Sequence, residues 1–233
     1  MDFKTFNHSF IDLPKLKRVE VDGERRYQTP SGKAYMSVTT LTGKHDKKEI
    51  FEWRQRVGDE KANAISKRAT GRGTNLHKTI ENYLLNQPPS WNQLDEDILN
   101  KQMFVQIKPI LERIDNIRVL ESGMYSDKLE LAGTPDCIAD YITKERGPEL
   151  SVIDFKTSTR MKKEESIPAY FMQGAAYGVM FHEHTGELPK NVVIMMAVET
   201  ASYPLTFVKP MKDCVVMLVN FMKAQGHYGC FRD

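Results

Sequence analysis

The longest uninterrupted apolar run of the chain, Val192–Val198, constrains the fold more than any other feature. It is far shorter than the roughly 20 residues that a helix needs to cross a bilayer, so it predicts a buried strand and no membrane span. The run is therefore interpreted as a buried strand of a sheet.

The spacing of apolar residues elsewhere changes from helical to β-type near residue 118. Before that point, helical spacing predicts a helical segment over 47–86, interrupted at Gly71–Gly73, and a helix over 94–117. The turn formers around Gly23 and Gly32 predict an N-terminal β-hairpin. After residue 118, the β-type spacing predicts strands over 118–122, 128–141 with a turn or bulge near Gly133, 150–155, 192–199 and 205–208. Helical spacing returns over 167–184 and 214–224, where helices are predicted.

This order of elements predicts an α/β (α+β) layer fold, with a central mixed sheet flanked by helices. A content of 40% apolar and 27% charged residues excludes disorder for the chain as a whole. We expect one domain over 1–233. Its parts would be a hairpin and extension over 1–45, a helical insertion over 46–117, and a sheet with helices over 118–233.

Cysteine usage and charge limit the compartment and the partners. The three cysteines Cys137, Cys214 and Cys230 are far apart in sequence, which argues against a disulfide framework or a cysteine metal site. We therefore expect an intracellular, cytoplasmic protein with no membrane partner. Residues 1–10 carry polar and charged side chains, and Asp2 argues against a mitochondrial presequence. The net charge of +2 is too small to indicate nucleic acid by itself.

Polar groups that core packing does not explain occur in four short segments: 73–77, 133–136, 153–156 and 173–177. In a strand, Asp154 and Lys156 point to one face while Ile153 and Phe155 point into the core. If the preceding strand pairs alongside, Asp136 comes close to Asp154, and two such carboxylates repel unless a cation lies between them. The segments therefore predict a divalent metal site suited to phosphodiester hydrolysis.

Taken in order, these segments resemble the PD-(D/E)XK nuclease superfamily, with Pro135-Asp136 and 154–156 as its motif. A helical histidine and a Gln-x-x-x-Tyr helix make the chain similar to the RecB-type branch. Residues 37–225 look most like the mitochondrial genome maintenance exonuclease family and its phage relatives. The resemblance implies a restriction-endonuclease-like core. The chain departs from these relatives in that Asp2 argues against a mitochondrial presequence, which favours a phage or bacterial origin, with the host cytoplasm as the location of a phage protein.

The resemblance also implies roles for five residues at the centre of the site. Asp136 and Asp154 would bind one or two Mg²⁺ or Mn²⁺ ions, together with the carbonyl oxygen of Phe155. Lys156 would position or activate the attacking water. His77 would join the metal sphere as a neutral imidazole, a donor that makes Mn²⁺ an acceptable substitute.

Three further residues have two explanations each. Glu121 would hold a second metal ion or a water, or it is an ordinary strand-end glutamate. Gln173 and Tyr177 lie four apart on one helical face. They would either contact the metal and phosphate region or pack as structural residues.

Two basic groups flank the candidate site in sequence: Lys67, Arg68 and Arg72 before it, and Arg160, Lys162 and Lys163 after it. They are either solvated charges or a track for DNA phosphates. Trp53, Tyr83 and Phe171 could stack on bases, although core packing is the simpler explanation.

The sequence thus predicts a metal-dependent DNA exonuclease that acts on single-stranded ends in replication, repair or recombination. Two alternatives remain open at this point. One is an inactive nuclease-fold protein that binds DNA, and the other is a structure-specific endonuclease of the same fold.

Overall fold

Two five-stranded sheets organise the computed structural model, which describes residues 3–87, 89, 98–143 and 147–227. The first sheet has the strand order β1 (Lys17–Val21), β2 (Glu24–Gln28), β3 (Ala34–Ser37), β6 (Leu131–Gly133) and β5 (Met124–Ser126). The second has the order β10 (Leu205–Pro210), β9 (Asn191–Val198), β8 (Gly147–Ser158), β7 (Cys137–Thr143) and β4 (Ile114–Leu120). The described helices are α1 (Val38–Thr42), α2 (Lys47–Val57), α3 (Asp59–Leu84), α4 (Ile98–Leu111), α5 (Pro168–Thr185) and α6 (Met211–Ala224).

Strand β9 confirms the prediction of a buried strand, because all of its residues are buried. Val192 and Ile194 pack in one apolar core with residues of α5 and α6. Val193 and Met195 pack in a second core with residues of α3 and α4. Strands β8 and β9 are parallel, while the other pairs of this sheet are antiparallel. The predicted mixed sheet with helices on both faces is therefore confirmed.

Local signals explain where α5 begins and ends. Pro168 stands in its first turn, where a missing backbone N–H costs nothing. Gly186 follows the last residue in the left-handed conformation, with φ of 79°, and its N–H donates to the carbonyl of His182. The helix predicted over 167–184 is confirmed within one residue at each end.

The N-terminal hairpin is confirmed and belongs to a larger sheet than the sequence indicated. β1 and β2 pair around a turn in which Asp22 and Gly23 have positive φ angles. β3 then pairs in parallel with β6, which lies far away in sequence. Ser37 ends β3 and caps α1 by accepting a hydrogen bond from the N–H of Thr40 at 3.3 Å.

The predicted interruption at Gly71–Gly73 is wrong, since α3 runs through it without a break. The chain instead changes direction at Gly58, which separates α2 from α3 and has φ of 83°. Gly71 has open space around it, and Gly73 faces the side chain of Thr157 on β8. A helix tolerates these glycines at a modest cost in stability.

Two other boundaries also differ from the sequence prediction. The helix predicted over 94–117 ends at Leu111, and the chain enters β4 at Ile114, because Ile114 and Ile117 are needed in the sheet core. Residues 94–97 lie outside the described part. The strand predicted over 128–141 is two strands, β6 and β7, in different sheets. Asp136 lies in the connection between them.

Among the described helices, none combines the length and the apolar character needed to cross a membrane.

The close approach of α5 to β9 generates a test of the packing. A Cβ atom on Gly174 would lie 2.3 Å from Cγ1 of Val192. We expect Gly174→Ala to lower the free energy of unfolding by about 1–3 kcal/mol, because the interior is already filled. Gly71→Ala is the matched control and should raise it by up to about 1 kcal/mol, since that helical glycine has open space around it. Urea denaturation measures both, and equal effects would contradict this account.

Candidate functional site

Three acidic residues lie at one end of three neighbouring strands of the second sheet. Glu121 directly follows β4, Asp136 directly precedes β7, and Asp154 lies near the end of β8. The pairing of Cys137 with both Leu120 and Ile153 brings these positions side by side. The N–H of Glu121 also donates to the carbonyl of Asp136 at 3.2 Å. Backbone pairing of the sheet therefore assembles the acidic cluster.

His77 brings a nitrogen to this cluster from α3. Its Nε2 lies 2.7 Å from the carbonyl oxygen of Phe155, which can only accept, so Nε2 carries the proton. Its Nδ1 lies 3.6 Å from Oδ1 of Asp136. The other oxygen of Asp136 accepts the N–H of Phe155 at 2.7 Å. One ligand atom each of His77, Glu121 and Asp136 can be chosen so that all three lie within 4.8 Å of one another.

Asp154 and Lys156 share a face of β8, as the strand period predicted. Nζ of Lys156 lies 2.5 Å from Oδ2 of Asp154, and Asp154 is 2% exposed. Oδ1 of Asp154 accepts a hydrogen bond from Nε2 of Gln173 at 2.8 Å. Ile153 and Phe155 pack in the core on the opposite face, also as predicted.

Burial and mutual repulsion perturb the acidic groups. Burial raises the pKa of Asp154 to about 6, with Asp136 adding to the effect and Lys156 opposing it. Glu121 as a residue is exposed, but its carboxyl is partly shielded from water, and this shielding, with the negative charges of Asp136 and Glu81, raises its pKa to about 8. For Lys156, burial lowers the pKa, but the charges of Asp154 and Asp136 outweigh it and the net pKa is raised. The site thus favours a bound positive charge.

The residues present fit a divalent cation. Oδ2 of Asp154 is buried and accepts no well-aligned hydrogen bond, although the Lys156 ammonium lies next to it. His77, Glu121 and Asp136 add an imidazole nitrogen and carboxylate oxygens close together. Carboxylates suit Mg²⁺ or Mn²⁺, and an imidazole nitrogen suits Mn²⁺ better than Mg²⁺.

The two α5 residues reach this region in different ways. Gln173 contacts Asp154 directly. Tyr177 packs against Gly133, where a Cβ atom would lie 2.8 Å from the Tyr177 hydroxyl oxygen. Burial holds the pKa of Tyr177 well above its ordinary value, so the phenol is neutral. Tyr177 therefore supports the backbone that leads from β6 to Asp136.

The basic residues fall into two groups. Nη1 of Arg72 lies 2.6 Å from Oε2 of Glu199 and donates to Oγ1 of Thr159 at 3.0 Å, and the Arg72 side chain is 8% exposed. Arg68 contacts the same glutamate. The remaining predicted basic residues are exposed: Lys67, Arg160, Lys162 and Lys163. Sequence reasoning did not identify Glu199, and its position directly after the apolar β9 run was the only available signal.

A cleft of about 430 Å³ opens beside the acidic cluster. Its lining includes His77 and Glu121 together with Gly73, Thr74, Lys78 and Glu81. A second groove of about 600 Å³ shares Glu121 and continues past Thr134 to Tyr27. A polymeric substrate could therefore lie across the cluster.

Comparison with known proteins identifies a family for this chain. The family model of the PD-(D/E)XK nuclease superfamily matches residues 36–211, which is most of the chain. Human mitochondrial genome maintenance exonuclease 1 (Homo sapiens) is 28% identical over 123 residues, covering 50% of this chain and 34% of the relative. The chain thus spans about a third of the length of that relative.

A solved structure is also similar. It is the crystal structure of a protein from Eubacterium rectale that has been proposed to be an exonuclease. The TM-score is 0.38 and the identity 13%, over 67% of this chain and 68% of that chain.

The raised pKa of Glu121 predicts a pH dependence of stability. In the unfolded chain this carboxyl ionises near the ordinary glutamate pKa of 4.5, whereas in the fold its pKa is about 8. The folded state therefore holds more protons between these values, and its stability falls as pH rises through this window. We expect the melting temperature in EDTA to fall between pH 5 and pH 8, and Glu121→Gln to reduce the fall.

Glu187→Gln provides the control for this experiment, because Glu187 is exposed and lines a groove that contains none of the cluster residues. It should leave the pH dependence of the wild type unchanged. Identical pH profiles for the wild type and Glu121→Gln would contradict the assignment of the perturbed carboxyl.

Proposed function

Since this chain belongs to the PD-(D/E)XK nuclease superfamily, we propose that it is a metal-dependent deoxyribonuclease that degrades single-stranded DNA from a free end. Its place would be in DNA replication, repair or recombination, in a phage or a bacterium. The observation that carries the proposal is the buried Asp154–Lys156 pair beside the cluster of His77, Glu121 and Asp136.

In this proposal, each residue has a task at the scissile phosphate. Asp136, Asp154, His77 and the Phe155 carbonyl would hold one Mg²⁺ or Mn²⁺ ion, and Glu121, which lies close to His77 and Asp136, would serve a second ion or a water. The bound ion supplies Lewis-acid stabilisation of the phosphate and lowers the pKa of water. These ligands suit the chemistry because an imidazole and carboxylates favour such ions.

Lys156 acts without being a ligand. Its raised pKa keeps the ammonium charged, and the contact with Asp154 fixes its position. A fixed positive charge can orient the attacking water and stabilise the negative charge that develops on the phosphate. Gln173 positions Asp154, and Tyr177 positions the segment that carries Asp136.

A single strand with a free end suits the surroundings of the cluster. Helix α2 has no buried residue, and in α3 only Ala62 is buried before Leu76. The α2–α3 hairpin therefore extends beyond the core, and α2 lines a pocket with Tyr170, whose ring centroid lies 5.0 Å from Nζ of Lys156. In this proposal the hairpin would leave room for a single strand and not for a duplex. Exposed Lys67, Lys162 and their basic neighbours would contact successive phosphates.

The first alternative is a nuclease-fold protein that binds DNA without cleaving it. The charged Lys156 beside a carboxylate cluster favours hydrolysis, because a binding protein has no need to bury these groups at a cost. The second alternative is an endonuclease of the same fold. It differs from the proposal only in whether the substrate needs an end.

End-labelled and circular DNA distinguish these possibilities. We expect Mg²⁺ or Mn²⁺ to support degradation of linear single-stranded DNA, EDTA to abolish it, and closed single-stranded circles to survive under the same conditions. Rapid cutting of circles would overturn the requirement for an end. Absence of cleavage with either ion, despite DNA binding, would favour the non-catalytic alternative.

The roles of Asp154 and Lys156 can be separated by substitution. Lys156→Ala should lower the cleavage rate by at least about 100-fold, since it removes charge stabilisation, while Mn²⁺ binding remains measurable by calorimetry. Asp154→Asn should lower both cleavage and Mn²⁺ affinity, with DNA binding largely retained. Lys212→Ala, on the exposed side of α6, is the control and should cleave normally. An equal loss of metal affinity in both site variants would contradict the role given to Lys156.

A further inference from the structure

A pocket of about 270 Å³ lies between α2 and the start of α5, separate from the cleft at the acidic cluster. Two aromatic side chains line it, Trp53 from α2 and Tyr170 from α5. Ile50 adds apolar surface and is 49% exposed. The volume is slightly below the range of about 300–1,000 Å³ that is common for small-molecule sites. The pocket therefore suits one flat ring system better than a peptide.

Tyr170 connects this pocket to the catalytic centre. Nζ of Lys156 lies 5.0 Å from the centroid of the Tyr170 ring. A group in the pocket would thus be one side chain away from the lysine that acts at the scissile phosphate. A part of the DNA strand next to the scissile phosphate could therefore occupy the pocket.

The charged groups around the pocket define the chemistry of its ligand. Asp46 and Glu49 line it with carboxylates that can accept from N–H groups, and Oδ1 of Asp46 already lies 2.5 Å from Nδ1 of His45. Among the described residues, no hydrogen bond or ion pair engages the Glu49 side chain, and the same holds for Lys162, which also lines the pocket. An exocyclic amino group fits the carboxylates, and a phosphate fits the lysine. A nucleotide offers both together with a flat ring.

We propose that the pocket between Trp53 and Tyr170 binds a nucleobase of the DNA substrate next to the scissile phosphate, and prefers bases with an exocyclic amino group. This inference rests on the proposed function and extends it to substrate recognition. The ring stacks on the aromatic side chains, Glu49 and Asp46 accept from the amino group, and Lys162 contacts the adjoining phosphate. Adenine, cytosine and guanine carry that amino group, whereas thymine does not.

Binding to abasic DNA tests the stacking part of the inference. Fluorescence anisotropy in EDTA, where no cleavage occurs, compares a short single-stranded oligonucleotide with its fully abasic counterpart. We expect Trp53→Ala to weaken binding of the normal strand by about tenfold, because stacking on an aromatic ring is lost. Binding of the abasic strand should not change. Trp53→Phe should retain most of the affinity, and its melting temperature and that of Trp53→Ala check the fold.

Base preference tests the role of the acidic side chains. The wild type should bind oligo-dC more tightly than oligo-dT, and Glu49→Ala should reduce the ratio of the two affinities. Glu52→Ala removes the same charge from the same helix outside the pocket and should leave the ratio unchanged. Removing one negative charge from the protein strengthens binding of both oligonucleotides alike, so this general effect cancels in the ratio of the two affinities.

Two results would overturn the inference. One is an equal loss of affinity for normal and abasic strands in Trp53→Ala, or no loss for either. The other is a wild-type ratio near one, or a ratio that Glu49→Ala does not change. The proposed function fails separately, when the wild type cleaves no DNA with Mg²⁺ or Mn²⁺, because the binding measurements in EDTA do not depend on cleavage.

Discussion

The contact between Asp154 and Lys156 is the interaction on which the rest of the site depends. A buried carboxylate and a half-buried ammonium lie 2.5 Å apart on one face of β8, and burial of charge is costly unless each charge has partners. Gln173 supplies a second partner for Asp154 from α5. The backbone of the intervening Phe155 binds Asp136 through its N–H and His77 through its carbonyl. A single strand thus fixes groups from the neighbouring strand and from helices on both faces.

Backbone geometry at the strand ends completes this arrangement. Glu121 has φ of 46°, which is uncommon for a residue with a side chain, and it ends β4 next to Asp136. Gly133 ends β6, and the hydroxyl of Tyr177 occupies the space that a Cβ atom would need. The segment that follows Gly133 carries Asp136 into the cluster. The positions of the carboxylates therefore depend on the backbone conformation at the ends of the strands as well as on the pairing of the strands.

The sequence predicted the parts of the site that depend on the local periodicity of strands and helices. Alternation in β8 placed Asp154 with Lys156, and the four-residue spacing of Gln173 and Tyr177 placed both on one face of α5. It did not predict the parts that depend on distant packing. The helix through Gly71 and Gly73 is continuous because α3 lies on β8, and β3 joins a sheet with β6, nearly a hundred residues later. The pairing of Arg72 with Glu199 joins positions 127 residues apart, which no local pattern encodes.

The continuous α3 has a consequence for how this chain can change in length. Arg72 is tied to Glu199 at the end of β9, and His77 is tied to Phe155 on β8, so both attachments lie on one rigid helix. One residue inserted between them would rotate His77 by about 100° about the helix axis relative to Arg72, and would move it by about 1.5 Å. Both attachments could not then be kept. Insertions and deletions are compatible with this site beyond Leu84, where the helix ends, but not between Arg72 and His77.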